Sequence, residues 1–128
     1  MARILVVDDD QLTRVMLATA LEQARHEVRF AIDGETAVAA VYREPFDLVV
    51  MDLAMPKMNG HLAIRTLVAD YPSLPILAIS GEDADQLDRA LEEGARAAMV
   101  KPLEPQLVQE RVAELLDDEG AWDAAHLI

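Results

Sequence analysis

Three short runs, Ile4-Leu5-Val6-Val7, Leu48-Val49-Val50-Met51 and Ile76-Leu77-Ala78-Ile79, are apolar at every position, with no polar residue alternating. A strand with one wet face alternates, whereas an unbroken run is covered on both faces, as the strands of a parallel sheet are. The runs are also far shorter than the ~20 apolar residues that cross a membrane as a helix. Ala97-Ala98-Met99-Val100 is a weaker run of the same kind, and Val28-Arg29-Phe30-Ala31 alternates, as suits a sheet edge. Parallel strands require crossovers, and the intervening segments supply them. Residues 34–43, 59–70 and 84–93 are Ala- and Leu-bearing stretches between turn signals and predict helices. Leu12, Val15, Met16 and Thr19 share one helical face, and Val108, Val112, Leu115 and Leu116 share another. Five strands, each followed by a helix, predict right-handed βαβ units and a doubly wound α/β fold.

The chain is 128 residues long, room for one domain of ordinary size. It has no cysteine, which excludes disulfide frameworks, thiolate zinc sites and cysteine nucleophiles. Its net charge of −13 repels nucleic-acid phosphates and anionic lipid, so neither nucleic acid nor membrane is expected as a direct partner. The only apolar run before the three aspartates is residues 4–7, too little for a signal-peptide core, and a cytoplasmic protein is expected. Acids and a glycine at Asp117-Asp118-Glu119-Gly120 predict the end of the last helix. The domain is therefore expected over residues 1–116, with 117–128, including Trp122, as a tail or linker stub.

The polar residues that follow the strands carry the chemistry. Asp8 and Asp9 follow the first, Asp52 the third, Ser80 the fourth and Lys101 the fifth. In a parallel sheet the C-terminal strand ends share one edge, where ligands of open α/β sheets bind. Asp10 suits the N-cap of the first helix, leaving Asp8 and Asp9 for other work. With Asp52 they form a carboxylate cluster that calls for a hard cation such as Mg²⁺. A hydroxyl donor and an ammonium complete what a phosphoryl group on an aspartate requires. His26, His61 and His126 lack metal-ligand spacing and are expected at the surface or partly packed, and Met51, Met55, Met58 and Met99 in core and loop packing. Nucleotide-cradling glycine motifs do not occur.

In this arrangement the sequence resembles the receiver domain of two-component response regulators. The opening Val6-Val7-Asp8-Asp9-Asp10 is similar to the family's first strand and acidic pair, and residues 52–60 resemble its D-x-x-M-P-x-M-x-G signature. Ile79-Ser80-Gly81 and Val100-Lys101-Pro102 are similar to its hydroxyl segment and Lys-Pro pair, with minor matches at Asp33-Gly34-Glu35 and Pro45-Phe46-Asp47-Leu48. The resemblance covers about residues 2–116.

It implies a flavodoxin-like (βα)5 three-layer sandwich, strand order 2-1-3-4-5. It further implies that Asp52 accepts a phosphoryl group from a phosphohistidine of a sensor histidine kinase or histidine phosphotransfer protein. Asp8, Asp9, Asp52 and the Ala54 backbone carbonyl would hold Mg²⁺, Ser80 and Lys101 would bind the phosphoryl oxygens, and Lys101-Pro102 would be cis. The output would be a downstream protein target or effector domain, with a homodimer left open.

The family's aromatic switch position, three residues before the lysine, is Ala98 here, which has no rotamer to switch. Output by backbone and loop movement, or through another surface, is therefore expected. A Mg²⁺-dependent phosphohydrolase of the haloacid dehalogenase type would need Asp8, Asp10 and a Thr or Val at position 12, which is Leu12. A receiver-like scaffold that binds without phosphorylation is the remaining alternative.

Overall fold

The computed structural model describes residues 1–55, 58–81 and 84–126, with 118–126 described by backbone alone. Pro56, Lys57 and Glu82 therefore lie outside the described residues, and so does the His126 side chain. Five strands, β1 (Arg3–Val7), β2 (Glu27–Ala31), β3 (Leu48–Asp52), β4 (Ile76–Ser80) and β5 (Ala97–Val100), alternate with five helices. These are α1 (Gln11–Gln23), α2 (Gly34–Arg43), α3 (Gly60–Asp70), α4 (Ala84–Glu93) and α5 (Pro105–His126). The sheet is parallel throughout, in the order β2-β1-β3-β4-β5.

The unbroken apolar runs are buried as their lack of alternation requires. Leu5, Val7, Val49, Met51, Ile76 and Ala78 face α2, α3 and α4, packing with Val38, Ile64 and Leu67. Ile4, Val6, Leu48, Val50, Leu77 and Ile79 face α1 and α5, packing with Leu17, Leu21, Val108 and Val112. Successive residues thus enter opposite layers, each fully buried large side chain contributing about 1.5–3 kcal/mol of apolar transfer. β2 is an edge strand, as its alternation indicated, with Phe30 half-exposed.

Two expectations about helices are corrected. On α1, Leu12 and Val15 are exposed, and the buried side is instead Leu17, Ala18, Ala20 and Leu21. The helix is apolar on several sides, so periodicity alone does not select the face that meets the sheet. Nor does α5 stop at Asp117–Gly120: its backbone continues to His126. One glycine inside a helix costs about 1 kcal/mol, which weakens a helix without ending it.

Candidate functional site: an acidic cluster at the C-terminal edge of the sheet

Parallel pairing fixes which residues can meet. Val7 pairs with Met51 and with Ala31, and Asp52 pairs with Ile79, so Asp8 and Asp52 emerge at the same edge. Ser80 pairs with Val100 and is fully buried, and its backbone carbonyl accepts the Lys101 N–H at 2.7 Å. Lys101 thus follows the last register pair of β5. Its peptide bond to Pro102 is cis, as the resemblance implies.

The side chains converge accordingly. Asp8, Asp9 and Asp52 each present a carboxylate oxygen within 4.8 Å of the others. Lys101 Nζ lies 3.0 Å from Asp8 Oδ2 and 3.6 Å from Asp52 Oδ1. Asp8 is completely buried, Asp52 nearly so, and Asp9 is exposed at the rim. Local bonds hold this geometry. Asp8 Oδ1 accepts the Asp10 N–H at 2.9 Å, Arg14 Nη1 donates to the Asp8 carbonyl at 2.8 Å, and the Ala54 N–H donates weakly to Asp52 Oδ1 at 3.4 Å. Asp10 itself caps α1, its carboxylate accepting from the Thr13 backbone at 3.1 Å and the Thr13 hydroxyl at 2.6 Å.

The electrostatics suit a cation. Burial, and next the charge of Asp8, push the Asp52 carboxyl up to about 6. Burial opposes the charge on Lys101, but contact with Asp8 and the charge of Asp52 outweigh it and raise the lysine above its ordinary value. Asp8 Oδ2 accepts no aligned hydrogen bond among the described residues, although Lys101 stands beside it as an ion pair. A buried carboxylate oxygen with a single ammonium beside it, within a cluster of like charges, is what a hard divalent ion suits. The donor set, three carboxylates at one edge, fits Mg²⁺.

Every side chain expected at the site is thus at this edge: Asp8, Asp9 and Asp52 clustered, Lys101 paired with Asp8 and Asp52, and Ser80 at the adjoining strand end. Asp10 does not join them, which removes the second acid that a dehalogenase-type phosphohydrolase would need. Two residues were not anticipated. Arg14 fixes the Asp8 backbone, a role no spacing announces. His61 was expected at the surface or partly packed but is buried, bonded through both ring nitrogens to Glu93 and Gln86 of α4. His26 is partly buried, with Nδ1 accepting the Ala2 N–H at 3.1 Å. Met51 and Met99 are buried, and Met55 and Met58 pack against the core, as expected.

The family model for the response regulator receiver domain matches residues 4–113. The protein PilH of Pseudomonas aeruginosa is 32% identical over 120 residues, covering 91% of this chain and 98% of that protein. The response regulator protein FleR of the same organism is 34% identical over 113 residues, 88% of this chain and 24% of that protein. Among the curated relatives, the chain spans between about a quarter and a half of the length of several. A response regulator receiver domain protein from Methanospirillum hungatei superposes with a TM-score of 0.89 at 27% identity, over 94% of this chain and 98% of that one. The chemotaxis response regulator of Vibrio cholerae superposes with a TM-score of 0.84 at 30% identity, over 91% and 99%.

Proposed function

We propose, on the premise that this chain belongs to the response regulator receiver domain family, that Asp52 is its phosphoacceptor. Response regulators take phosphate from histidine kinases and act on downstream effectors, and receiver domains use Mg²⁺ at their acidic site. The observation that carries the assignment to Asp52 is its place in the cluster: nearly buried, within 4.8 Å of two further carboxylates and 3.6 Å from an ammonium.

Asp8, Asp9, Asp52 and the Ala54 carbonyl would hold Mg²⁺. When bound, the ion neutralises charge on the carboxylates and on the incoming phosphoryl oxygens. A carboxylate oxygen of Asp52 forms the bond to phosphorus while the P–N bond of the donor phosphohistidine breaks. The donor imidazole, protonated at its other nitrogen, leaves neutral. Lys101 exchanges its ion pairs with Asp8 and Asp52 for a phosphoryl oxygen, and the Ser80 hydroxyl donates to another. Positioning and charge do the work, as in other phosphoryl transfers.

The donor is a sensor histidine kinase or histidine phosphotransfer protein, and the output is a downstream protein target or effector domain. The receiver unit is residues 1–116, with 117–128 continuing as a tail or linker, and the site of action is the cytoplasm. No described helix is long and apolar enough to cross a membrane. The module signals and is not a turnover enzyme. Incubation with Mg²⁺ and acetyl phosphate followed by intact mass tests this. One added phosphoryl group on the wild type and none on Asp52→Asn is expected; equal labelling of both refutes the assignment, and no labelling of either supports the non-phosphorylated scaffold.

A further inference from the structure

Ala98 sits on β5 with a side chain too short to swing between two states. α4 has little apolar anchorage: Ala90 is its one fully buried residue, and Leu87 packs only partly. Much of its hold on α3 is polar. His61 bonds Glu93 through Nδ1 and Gln86 through Nε2, the latter at 2.7 Å, so a single imidazole ties both ends of α4. Arg65 of α3 also pairs with Glu93, and Arg89 lies 3.5 Å from it. The Glu93 side chain is only 10% exposed, so the link is shielded from water.

The other end of the link is the phosphorylation site itself. Gly60, the residue before His61, packs so closely on the chain that a Cβ there would lie 2.2 Å from the Asp52 carbonyl oxygen and 2.7 Å from Leu53 Cα. The Gly60 N–H also donates to the Leu53 carbonyl at 3.3 Å. The backbone of Asp52, the first turn of α3 and both ends of α4 are therefore joined through two consecutive residues.

We propose that His61 is a positioning residue that latches α4 to α3 and couples its placement to the state of Asp52. This rests on the assignment of Asp52 as phosphoacceptor. A latch that holds α4 in its present place opposes any movement that phosphorylation demands. Coupling is reciprocal: if occupancy of Asp52 works against the latch, breaking the latch must favour occupancy.

Beryllofluoride, a phosphoryl mimic on aspartate, serves as the probe. The full chain is titrated with beryllofluoride in excess Mg²⁺ and followed by amide NMR, with the melting temperature of each variant measured alongside. Glu93→Gln keeps the side-chain shape and removes its charge; Gln86→Ala cuts the bond to His61 Nε2 and guards against a folding failure in the first variant. Both are expected to bind beryllofluoride about three-fold tighter or more than the wild type, with α4 amides shifted before ligand is added. Unchanged or weaker affinity, whether or not melting falls, makes the link mere scaffolding and overturns the inference. Failure of the wild type to bind beryllofluoride refutes the phosphoacceptor assignment itself, a result distinguishable from a latch that does not couple.

Discussion

Asp52 stands where two demands conflict. Its folded pKa of about 6 lies above the ordinary 3.8, first because it is buried and then because Asp8 is beside it. Above the folded value the carboxylate is ionised in both folded and unfolded chains, and the fold bears the full cost. As the pH falls from there toward the ordinary carboxylate range, the folded state takes up its proton first and the cost is relieved. In the presence of a chelator, Asp52→Asn should therefore stabilise the protein at pH 8 by on the order of 1–3 kcal/mol, and the gain should vanish near pH 4. Urea unfolding at the two pH values measures it. Because the ion needs the ionised carboxylate, Mg²⁺ affinity should fall as the pH drops through about 6, which calorimetric titration detects. Asp8, Asp9, Asp52, Ser80 and Lys101 were legible because strand ends in a parallel sheet have a fixed place, and any residue following an apolar run inherits it. Arg14 and His61 were not. Their roles depend on which way a long or flat side chain turns after the helices have packed, and one sequence does not hold that information.

Local signals were uneven at the scale of the elements. Helices at 34–43 and 84–93 match α2 and α4, and the start of α2 is fixed by the Asp33 capping box. The buried face of α1 was misassigned because a helix apolar on several sides leaves the choice to the sheet. The last helix passed its expected end because helix-stop signals are worth little beside the continuing backbone bonds. The α3–α4 seam could not be read at all: its ends are fixed by Gly60, pressed on Asp52, and by Gly94 (φ +120), where a Cβ would lie 2.8 Å from Val68. Gly60→Ala should destabilise the fold by about 2–4 kcal/mol and depress labelling of Asp52, since the obstacle is backbone and cannot rotate aside. Denaturant unfolding and acetyl phosphate labelling check the two effects. Glu93 is raised by burial, but His61 and Arg65 outweigh this and hold it below the ordinary glutamate value. Its contribution is thus present above the unfolded value and lost as the pH falls through the folded one. Glu93→Gln should cost about 1–3 kcal/mol near pH 7, and the difference from the wild type should shrink in acid, as paired unfolding curves would show.

For the molecule as a whole, a net charge of −13 means that folding gathers like charges, three of them at the edge where the chemistry lies. The fold tolerates this because two covered apolar layers hold the strand ends in place, and it leaves the carboxylates dependent on a counterion. Mg²⁺ at a hundred times its dissociation constant should stabilise the chain by about 2.7 kcal/mol, an effect removed by chelator and abolished in Asp8→Asn. Thermal melting with and without the ion reads it, and an equal rise in the variant would point to general screening. One carboxylate among twenty-four acidic side chains, that of Asp52, is the proposed phosphoacceptor. Borohydride reduction converts an aspartyl phosphate to homoserine, and peptide mapping of chain labelled with acetyl phosphate and Mg²⁺ then locates it. Homoserine at position 52 alone is the predicted result; homoserine at position 8 or 9, or at none, would contradict it.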